Sequence, residues 1–201
     1  MRKVIKESTY HGYALNSSWK NHQGHYAEIL QPLESLLNYM TQKHRRVYFT
    51  RFDLTYPANS AHPNDNVLFS RFLDTLTHYY KYKQCDPRYL WVREKSTTGQ
   101  VHYHLILVLN PENIYKARGV LTKLTQLWQG CVDIGNAEGL VQLCPPDKTY
   151  DLYGGVRIIR DCENFQEVFD YCFEWGSYLA KKYSKSGLPP YVNGFGCSRL
   201  N

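Results

Sequence analysis

The segment Val101–Leu109 reads Val-His-Tyr-His-Leu-Ile-Leu-Val-Leu, and a run this apolar belongs inside a sheet. Side chains alternate between the two faces of a strand, so His102 and His104 point to the same side. Two imidazoles on a core strand are costly to desolvate unless another group uses them. A shared divalent metal ion is the simplest use, and this pair is therefore the first candidate site.

The composition is that of an ordinary folded protein with a basic surface. Of the 201 residues 43% are hydrophobic and 21% are charged, which excludes a disordered chain. The formal net charge of +6 favours an anionic partner. The chain also has 18 tyrosines, and tyrosines among lysines and arginines suit a surface that stacks bases and neutralises phosphates. Most of them are nevertheless expected to line the core.

Several classes of protein are excluded or disfavoured by what the sequence lacks. No stretch approaches the roughly 20 apolar residues of a membrane span, so no membrane partner is expected. The segment from Met1 to Glu7 has no apolar core of a secretory signal, which favours a cytoplasmic location. Six scattered cysteines form no Cys-x-x-Cys pair, which excludes a zinc ribbon and suggests reduced thiols.

The apolar periodicity predicts helices and strands along the whole chain. Pro111 is placed at the start of the third helix and Gly130 just after its end. Gly187 and Pro189 close the fourth. We predict helices over 26–41, 67–82, 111–129 and 165–182, and strands over 47–56, 89–94, 101–109, 140–143 and 156–159. There is no linker and no internal repeat, so the prediction is a single α+β domain over residues 1–201.

A hairpin between the second and third predicted strands adds a carboxylate to the histidine pair. With a three-residue turn over 97–99, Glu94 lies directly opposite His102 and shares its face. A turn one residue longer would instead place Lys95 there. Two imidazoles and one carboxylate suit Mg²⁺ or Mn²⁺, and they can also hold zinc.

The last predicted helix carries a possible nucleophile. Tyr178 and Lys181 are three residues apart and so share a helix face, and Lys182 is also adjacent. A tyrosine hydroxyl beside a fixed positive charge can attack phosphorus, because the cation stabilises the developing negative charge. Taken alone, Tyr-x-x-Lys more often marks a solvated helix face.

Taken together and in this order, these motifs resemble the HUH endonucleases, which nick and join single-stranded DNA. The resemblance is nearest to the replication initiators of filamentous phages (inoviruses) and their relatives in bacterial prophage islands. It covers most of the chain. The residues that carry it are Arg51-Phe52-Asp53-Leu54-Thr55-Tyr56-Pro57, His102-Tyr103-His104-Leu105 with Asn110, Ser177-Tyr178-Leu179-Ala180-Lys181 and Phe195-Gly196-Cys197-Ser198-Arg199.

The resemblance implies both a fold and a mechanism. The fold is a central antiparallel sheet of about five strands flanked by helices, with the histidines on a central strand. His102, His104 and a third ligand, for which we choose Glu94, hold Mn²⁺ or Mg²⁺. Tyr178 attacks the scissile phosphate, leaving a free 3′-hydroxyl and a 5′-phosphotyrosyl link. Lys181 neutralises charge near the phosphate or orients Tyr178.

Two further assignments stay open. Asp53, on the neighbouring strand, either supports a histidine from behind or forms a salt bridge or strand-end cap. Some HUH initiators alternate between two tyrosines, and Tyr171 or Tyr183 would be the second here. Tyr183 points well away from Tyr178 on an ideal helix, whereas Tyr171 shares its face roughly 10 Å along the axis. We favour a single nucleophile.

The predicted path of DNA is basic and aromatic. Tyrosine rings stack bases, and lysines follow phosphates in a salt-dependent way. For any one of these residues, an ordinary exposed helix end is the simpler interpretation. The candidates are Lys43, Arg45, Arg46, Tyr79, Tyr80, Lys81, Tyr82, Lys83, Lys182, Tyr183 and Lys185.

The expected function is site-specific nicking of a replication origin, either linear or folded into a hairpin, that starts rolling-circle replication in the cytoplasm of a bacterial host. The chain has no Gly-Lys-Ser/Thr phosphate loop, so a host helicase and polymerase are the expected partners. The alternatives are an HUH transposase or relaxase, a DNA-binding replication accessory without turnover, and an unrelated metal hydrolase.

Overall fold

The computed structural model describes residues 3–17, 23–57, 64–96, 99–114, 119–183, 185 and 190–200. Within them the chain forms ten strands and four α-helices. In chain order these are β1 (Val4–Ile5), β2 (Thr9–Tyr10), β3 (Tyr13–Ala14), β4 (His25–Tyr26), α1 (Ala27–Lys43), β5 (Arg46–Thr55), α2 (Val67–Tyr82), β6 (Arg88–Lys95), β7 (Val101–Leu109), α3 (Gly119–Val132), β8 (Val141–Leu143), β9 (Gly155–Ile159), α4 (Phe165–Ser177) and β10 (Phe195–Cys197).

A central antiparallel sheet organises the fold. Its order is β10-β6-β7-β5, and β5 then pairs with β9 along its first half and with β8 along its second half. All of these pairings are antiparallel. The histidine strand β7 therefore lies in the middle of the sheet. The predicted α+β class and antiparallel sheet of about five strands are confirmed.

Side-chain alternation gives the sheet two buried faces, each covered by a pair of helices. One face packs against α1 and α4 through residues such as Phe49, Val92 and Ile106. The other packs against α2 and α3 through residues such as Phe52 and Tyr103. His102 and His104 have the same parity as Ile106, so they belong to the face that α1 and α4 cover.

The β6–β7 hairpin has the register that a three-residue turn predicts. Glu94 pairs directly with His102, and Lys95 pairs with Val101. Gly99 adopts φ +85°, a left-handed conformation that glycine tolerates best. The predicted turn residues Thr97 and Thr98 lie outside the described residues. The alternative register, with Lys95 opposite His102, is wrong.

The third predicted helix is placed incorrectly. Pro111–Asn113 form only a 3₁₀ turn, and α3 begins at Gly119 within the described residues. The Asn110 side chain accepts a hydrogen bond from the Glu112 backbone N–H, which closes that turn locally. The helix also passes through Gly130 instead of ending before it. A Cβ at Gly130 would meet open space, so packing does not require glycine there. The low helix propensity of glycine disfavours the helix at this position only modestly, and the helix continues through it.

The fourth predicted helix is too long. α4 ends at Ser177, and a 3₁₀ turn over Tyr178–Ala180 follows. Lys181 then forms a β-bridge with His25, and the Lys182 N–H donates to the Gly24 carbonyl. Pairing with β4 thus draws the chain out of the helix, and a helical pattern cannot reveal such a partner. Gly187 and Pro189 lie outside the described residues.

The short strands could not be predicted because two or three residues are too few to show an apolar alternation. β1 pairs with β4, β2 pairs with β3, and β10 adds an edge to the main sheet beside β6. The remaining predicted strands are confirmed to within one or two residues at each end. Within the described residues, no helix is both long and apolar enough to cross a membrane.

Candidate metal and tyrosine site

Glu94, His102 and His104 converge on one patch of the sheet. Their ligand atoms lie within 4.8 Å of one another. Glu94 Oε2 is 3.3 Å from His104 Nε2 and 3.7 Å from His102 Nε2. The hairpin register creates this convergence because it places Glu94 and His102 opposite each other and His104 one pleat repeat further along.

Two lysines also approach the Glu94 carboxylate. Lys185 Nζ lies 2.7 Å from Oε1, and Lys181 Nζ lies 3.3 Å from Oε2. The Glu94 side chain is only 1% exposed and that of Lys185 only 2%. Buried charges of this kind persist when they are paired, so Glu94 and the lysines depend on one another.

The surroundings keep Glu94 ionised. Burial by itself would raise the pKa of this carboxyl. Contacts with the two histidines and the positive charge of Lys185 outweigh burial and hold the pKa of Glu94 far below its usual range. An ionised carboxylate is the form that binds a metal ion.

Asp53 supports His104 from the neighbouring strand β5. Its Oδ1 accepts a hydrogen bond from His104 Nδ1 at 2.5 Å, and the two residues pair directly in the sheet. Burial lowers the pKa of His104, but the Asp53 and Glu94 carboxylates outweigh it and raise that pKa. For Asp53, burial is outweighed by His104 and Arg51, which lower its pKa.

The Nε2 nitrogen of His104 is placed to bind a metal ion. Nε2 is buried and makes no hydrogen bond of normal geometry, although Glu94 Oε2 lies 3.3 Å away, whereas Nδ1 is engaged by Asp53. A metal-binding imidazole is commonly held by a carboxylate through its other nitrogen, and His104 has this arrangement. Donors on an octahedral ion lie about 3 Å apart, close to the separations around Glu94 Oε2. The donor set thus fits Mg²⁺ or Mn²⁺, and zinc also accepts it.

The Tyr178 ring lies against this cluster. Its centroid is 5.5 Å from that of His104, and the planes meet edge to face at 89°. Lys181 Nζ lies 3.7 Å from the centroid of the Tyr178 ring, and Arg51 Cζ lies 4.4 Å from it. Both cations are within the range of cation–π attraction, so they help to hold the ring beside the histidines.

The last turn of α4 reaches the sheet because Gly176 has no side chain. A Cβ there would lie 3.1 Å from atoms of Leu33 and Ile106, so a larger residue would push the helix away from β7. Arg51 Nη1 also donates to the Trp175 carbonyl at 2.9 Å, which ties the helix end to β5. Close packing and this hydrogen bond place Tyr178 over the patch.

Lys181 is positioned by strand pairing and not by a shared helix face. Its bridge partner His25 is buried, and the adjacent Gly24 adopts φ +90°. A Cβ at Gly24 would come within 2.4 Å of the Ile5 carbonyl oxygen, so this position requires glycine. The predicted proximity of Lys181 to Tyr178 is present, although its cause differs from the predicted one.

Comparison with known proteins decides the family. The profile of the YagK/YfjJ C-terminal domain matches residues 6–198, which is nearly the whole chain. The chain belongs to this family. It is also 30% identical over 120 residues to YfjJ of Escherichia coli K12, a protein described as uncharacterized. The match covers 56% of this chain and 54% of YfjJ, so it spans about half the length of that relative. No solved structure matches.

Three other predicted residues lie outside the Glu94–His102–His104 cluster. Lys182 is exposed, and its backbone N–H donates to the Gly24 carbonyl just before β4. Tyr171 stacks between Tyr150 and Trp175, and its hydroxyl accepts from the Asp147 backbone N–H. The side chain of Tyr183 is 42% exposed. These placements are compatible with a single nucleophile, which stays a prediction.

The predicted basic residues at the end of α1 lie far from this site. Arg46 is seven positions before Asp53 on β5, or about 23 Å at about 3.3 Å per residue. Lys43 forms a salt bridge with Asp86, and Arg45 forms one with Asp161. We therefore do not assign these residues to a DNA path that leads to Tyr178.

The tyrosine and lysine cluster of α2 is also remote. α2 covers the face of the sheet opposite to the histidines. Tyr80 is buried in that core, which removes it as a platform for bases. Tyr79 is partly buried and contacts Lys123, whereas Lys81, Tyr82 and Lys83 are exposed. Charge composition predicted a basic surface here but could not predict which side of the sheet carries it.

The pH dependence of stability tests the ion pairs that Asp86 forms with Lys43 and its neighbours. Burial would raise the pKa of Asp86, but His44, Lys43 and Arg88 outweigh it and lower that pKa. A depressed pKa stabilises the fold above the unfolded value of about 4, and this contribution is lost as the pH falls through the folded value. We expect wild type to lose more stability than Asp86→Asn between about pH 5 and pH 2 in urea titrations. Parallel curves would contradict this pairing.

Arg51 and His25 contribute to the site although the sequence patterns predict no individual role for either. Arg51 belongs to a motif that carries the resemblance, and its parity with Asp53 on β5 already places both on the histidine face. No signal in the sequence could have identified His25, since its contact with Lys181 joins segments far apart in the chain.

Proposed function

We propose that this chain is a metal-dependent nicking and joining enzyme for single-stranded DNA that works through Tyr178. The observation that carries the proposal is the contact between the Tyr178 ring and His104, a member of the Glu94–His102–His104 cluster. A phenol beside a three-donor metal site, flanked by Arg51 and Lys181, suits attack on a phosphodiester.

The residues that would hold the cation are Glu94 through Oε2 and both histidines through Nε2. Asp53 orients His104 by accepting from Nδ1, the usual arrangement behind a metal-bound imidazole. Bound there, Mn²⁺ or Mg²⁺ supplies Lewis-acid polarisation of a phosphate oxygen. Nucleophilic attack and stabilisation of the developing charge are assigned to protein side chains.

Tyr178 is the nucleophile in this proposal. Its oxygen forms a bond to phosphorus as the bond from phosphorus to the 3′ oxygen breaks, and the phenolic proton passes through solvent to the departing 3′ oxygen, which becomes a 3′-hydroxyl. The product is a 5′-phosphotyrosyl link that retains the energy of the phosphodiester, so rejoining requires no ATP. Arg51 and Lys181 hold the ring from its faces and stabilise negative charge as it develops.

The motif resemblance supports a specific biological role. It favours initiation of rolling-circle replication of a filamentous phage or a prophage-derived element, in the cytoplasm of a bacterial host. The substrate is then a single-stranded replication origin, either linear or folded into a hairpin. A host helicase unwinds the duplex and a host polymerase extends the 3′-hydroxyl. Near the site, the DNA contacts we propose are Lys181, Lys182 and Arg51 in place of the remote basic clusters.

A covalent-adduct assay tests the proposal. Labelled single-stranded DNA that carries the candidate origin is incubated with the protein and Mn²⁺ and then run on a denaturing gel. A band that keeps the protein attached supports tyrosine-mediated nicking. Cleavage without an attached protein would indicate an unrelated metal hydrolase. Salt-sensitive binding without cleavage would indicate an accessory protein, and either result would reject the proposal.

His102→Ala should abolish metal-dependent cleavage while leaving single-stranded DNA binding largely intact. The partly buried imidazole contributes one of three ligands, and its removal leaves Asp53–His104 and the lysine pairs in place. Adduct formation and Mn²⁺ binding are measured together, and His78→Ala, which removes an exposed histidine of α2, is the matched control. An equal loss of DNA binding and cleavage would contradict the metal assignment.

A further inference from the structure

Lys185 is a buried cation of the site to which the nicking chemistry assigns no role. Its ammonium contacts Glu94 Oε1 at 2.7 Å, and both side chains are almost fully buried. A buried ammonium needs an anionic partner, because its desolvation is otherwise very costly. Lys185 therefore shares the one carboxylate of the cluster with whatever else binds there.

The charged side chains around the cluster already carry a net positive charge, which opposes binding of a further cation. Lys181, Lys185 and Arg51 contribute three positive charges, while Glu94 and Asp53 contribute two negative charges. A divalent ion on Glu94 and the histidines adds two positive charges beside Lys185. Repulsion over a few ångströms is strong in a buried site, so binding of the ion is opposed unless an anion enters with it.

We propose that Lys185 is a positioning residue that couples metal binding to binding of the substrate phosphodiester. When a divalent cation draws on the Glu94 carboxylate, a phosphate oxygen becomes the anionic partner of the Lys185 ammonium. The phosphodiester thus compensates the charge that the cation adds. This inference rests on the proposed function, because it takes single-stranded DNA as the ligand.

Thermodynamic linkage makes the coupling reciprocal. If DNA strengthens metal binding by some factor, the metal strengthens DNA binding by the same factor. Lys185 then weakens metal binding in the absence of DNA, and DNA removes that penalty. The site is consequently loaded with metal mainly when a strand is present, which restricts its chemistry to bound substrate.

Metal affinity, measured without turnover, provides the test. Mn²⁺ dissociation constants are determined by calorimetry and by the electron paramagnetic resonance of free Mn²⁺, in a Tyr178→Phe background at fixed salt. Each is measured with and without a mixed-sequence single-stranded oligonucleotide. Lys185→Met removes the charge, Lys185→Arg keeps it, and Lys83→Met removes an exposed lysine from the opposite face as a control.

With Lys185 present, the oligonucleotide should tighten Mn²⁺ binding by about tenfold, within the usual range of coupling between sites. Lys185→Met should bind Mn²⁺ about tenfold more tightly without DNA and lose most of the effect of DNA. Lys185→Arg and Lys83→Met should behave like the parent. If Lys185→Met unfolds, Lys185→Gln retains a hydrogen-bond donor to Glu94 without the charge.

The sign of the change separates this inference from a purely structural role. Weaker Mn²⁺ binding in Lys185→Met would mean that Lys185 only orients Glu94, and it would overturn the inference. The inference would also be overturned if DNA tightened Mn²⁺ binding in Lys185→Met as much as in the parent. If Mn²⁺ and DNA binding are coupled but the protein with Tyr178 intact forms no covalent adduct, only the nicking function is rejected. If the adduct forms but the two binding events are not coupled, only the role of Lys185 is rejected.

Discussion

Tyr178→Phe is expected to eliminate the covalent protein–DNA adduct, with a loss of nicking limited only by the detection threshold. The substitution removes the attacking oxygen and keeps the ring that packs beside His104 and contacts Arg51 and Lys181. No other group replaces a missing nucleophile in a mechanism that requires a covalent intermediate. Mn²⁺ and DNA binding should therefore remain close to wild type.

Two neighbouring tyrosines serve as matched controls for this experiment. Tyr171→Phe removes a hydroxyl that accepts from the Asp147 backbone, and Tyr183→Phe removes an exposed one. Both variants should form the adduct on a denaturing gel. An adduct that survives Tyr178→Phe and disappears in Tyr171→Phe or Tyr183→Phe would move the nucleophile to that residue. A partial loss in both Tyr178→Phe and a control would support two alternating tyrosines.

Glu94→Gln is expected to destabilise the protein by about 3–5 kcal/mol, the usual effect of removing one partner from a buried ion pair. The substitution keeps the shape of the side chain but leaves the Lys181 and Lys185 ammoniums beside a neutral amide. It also removes the carboxylate ligand, so Mn²⁺ binding should be lost. Urea unfolding gives the stability, and calorimetry gives the metal affinity.

A second substitution shows whether the effect comes from the ion pair. Glu94→Gln combined with Lys185→Met removes both partners, and the double variant should recover part of the lost stability. Glu163→Gln neutralises an exposed carboxylate and should change the free energy of unfolding by no more than about 0.5 kcal/mol. A loss of stability in Glu94→Gln no greater than in Glu163→Gln would show that the buried pairs contribute little.

The main elements of the site could be predicted from the sequence because they depend on short-range rules. Strand alternation placed His102 and His104 on one face, and the length of the hairpin turn placed Glu94 opposite His102. The same alternation places Asp53 with them, although only the sheet order makes it the direct neighbour of His104. The apolar periods of strands (two residues) and helices (3.6 residues) can be read from the sequence because each repeat involves only neighbouring residues.

The ends of elements and the partners of charged groups were less predictable. The pattern of α4 continues past Ser177, yet pairing with His25 takes the chain out of the helix before Lys181. Lys185 resembled an exposed basic residue, but its ammonium is buried against Glu94. In both cases the deciding contact joins residues far apart in the chain, and local patterns do not encode such contacts.

The sequence by itself determined the α+β class, the histidine strand and the convergence of Glu94 with His102. Only the tertiary structure decided where the cations act. It placed Lys43, Arg46 and Tyr80 away from the histidine face, and it brought Arg51, Lys181 and Lys185 around Glu94 and Tyr178. The physical reason is that strand periodicity depends on the local backbone, whereas the environment of a charge depends on every segment that packs around it.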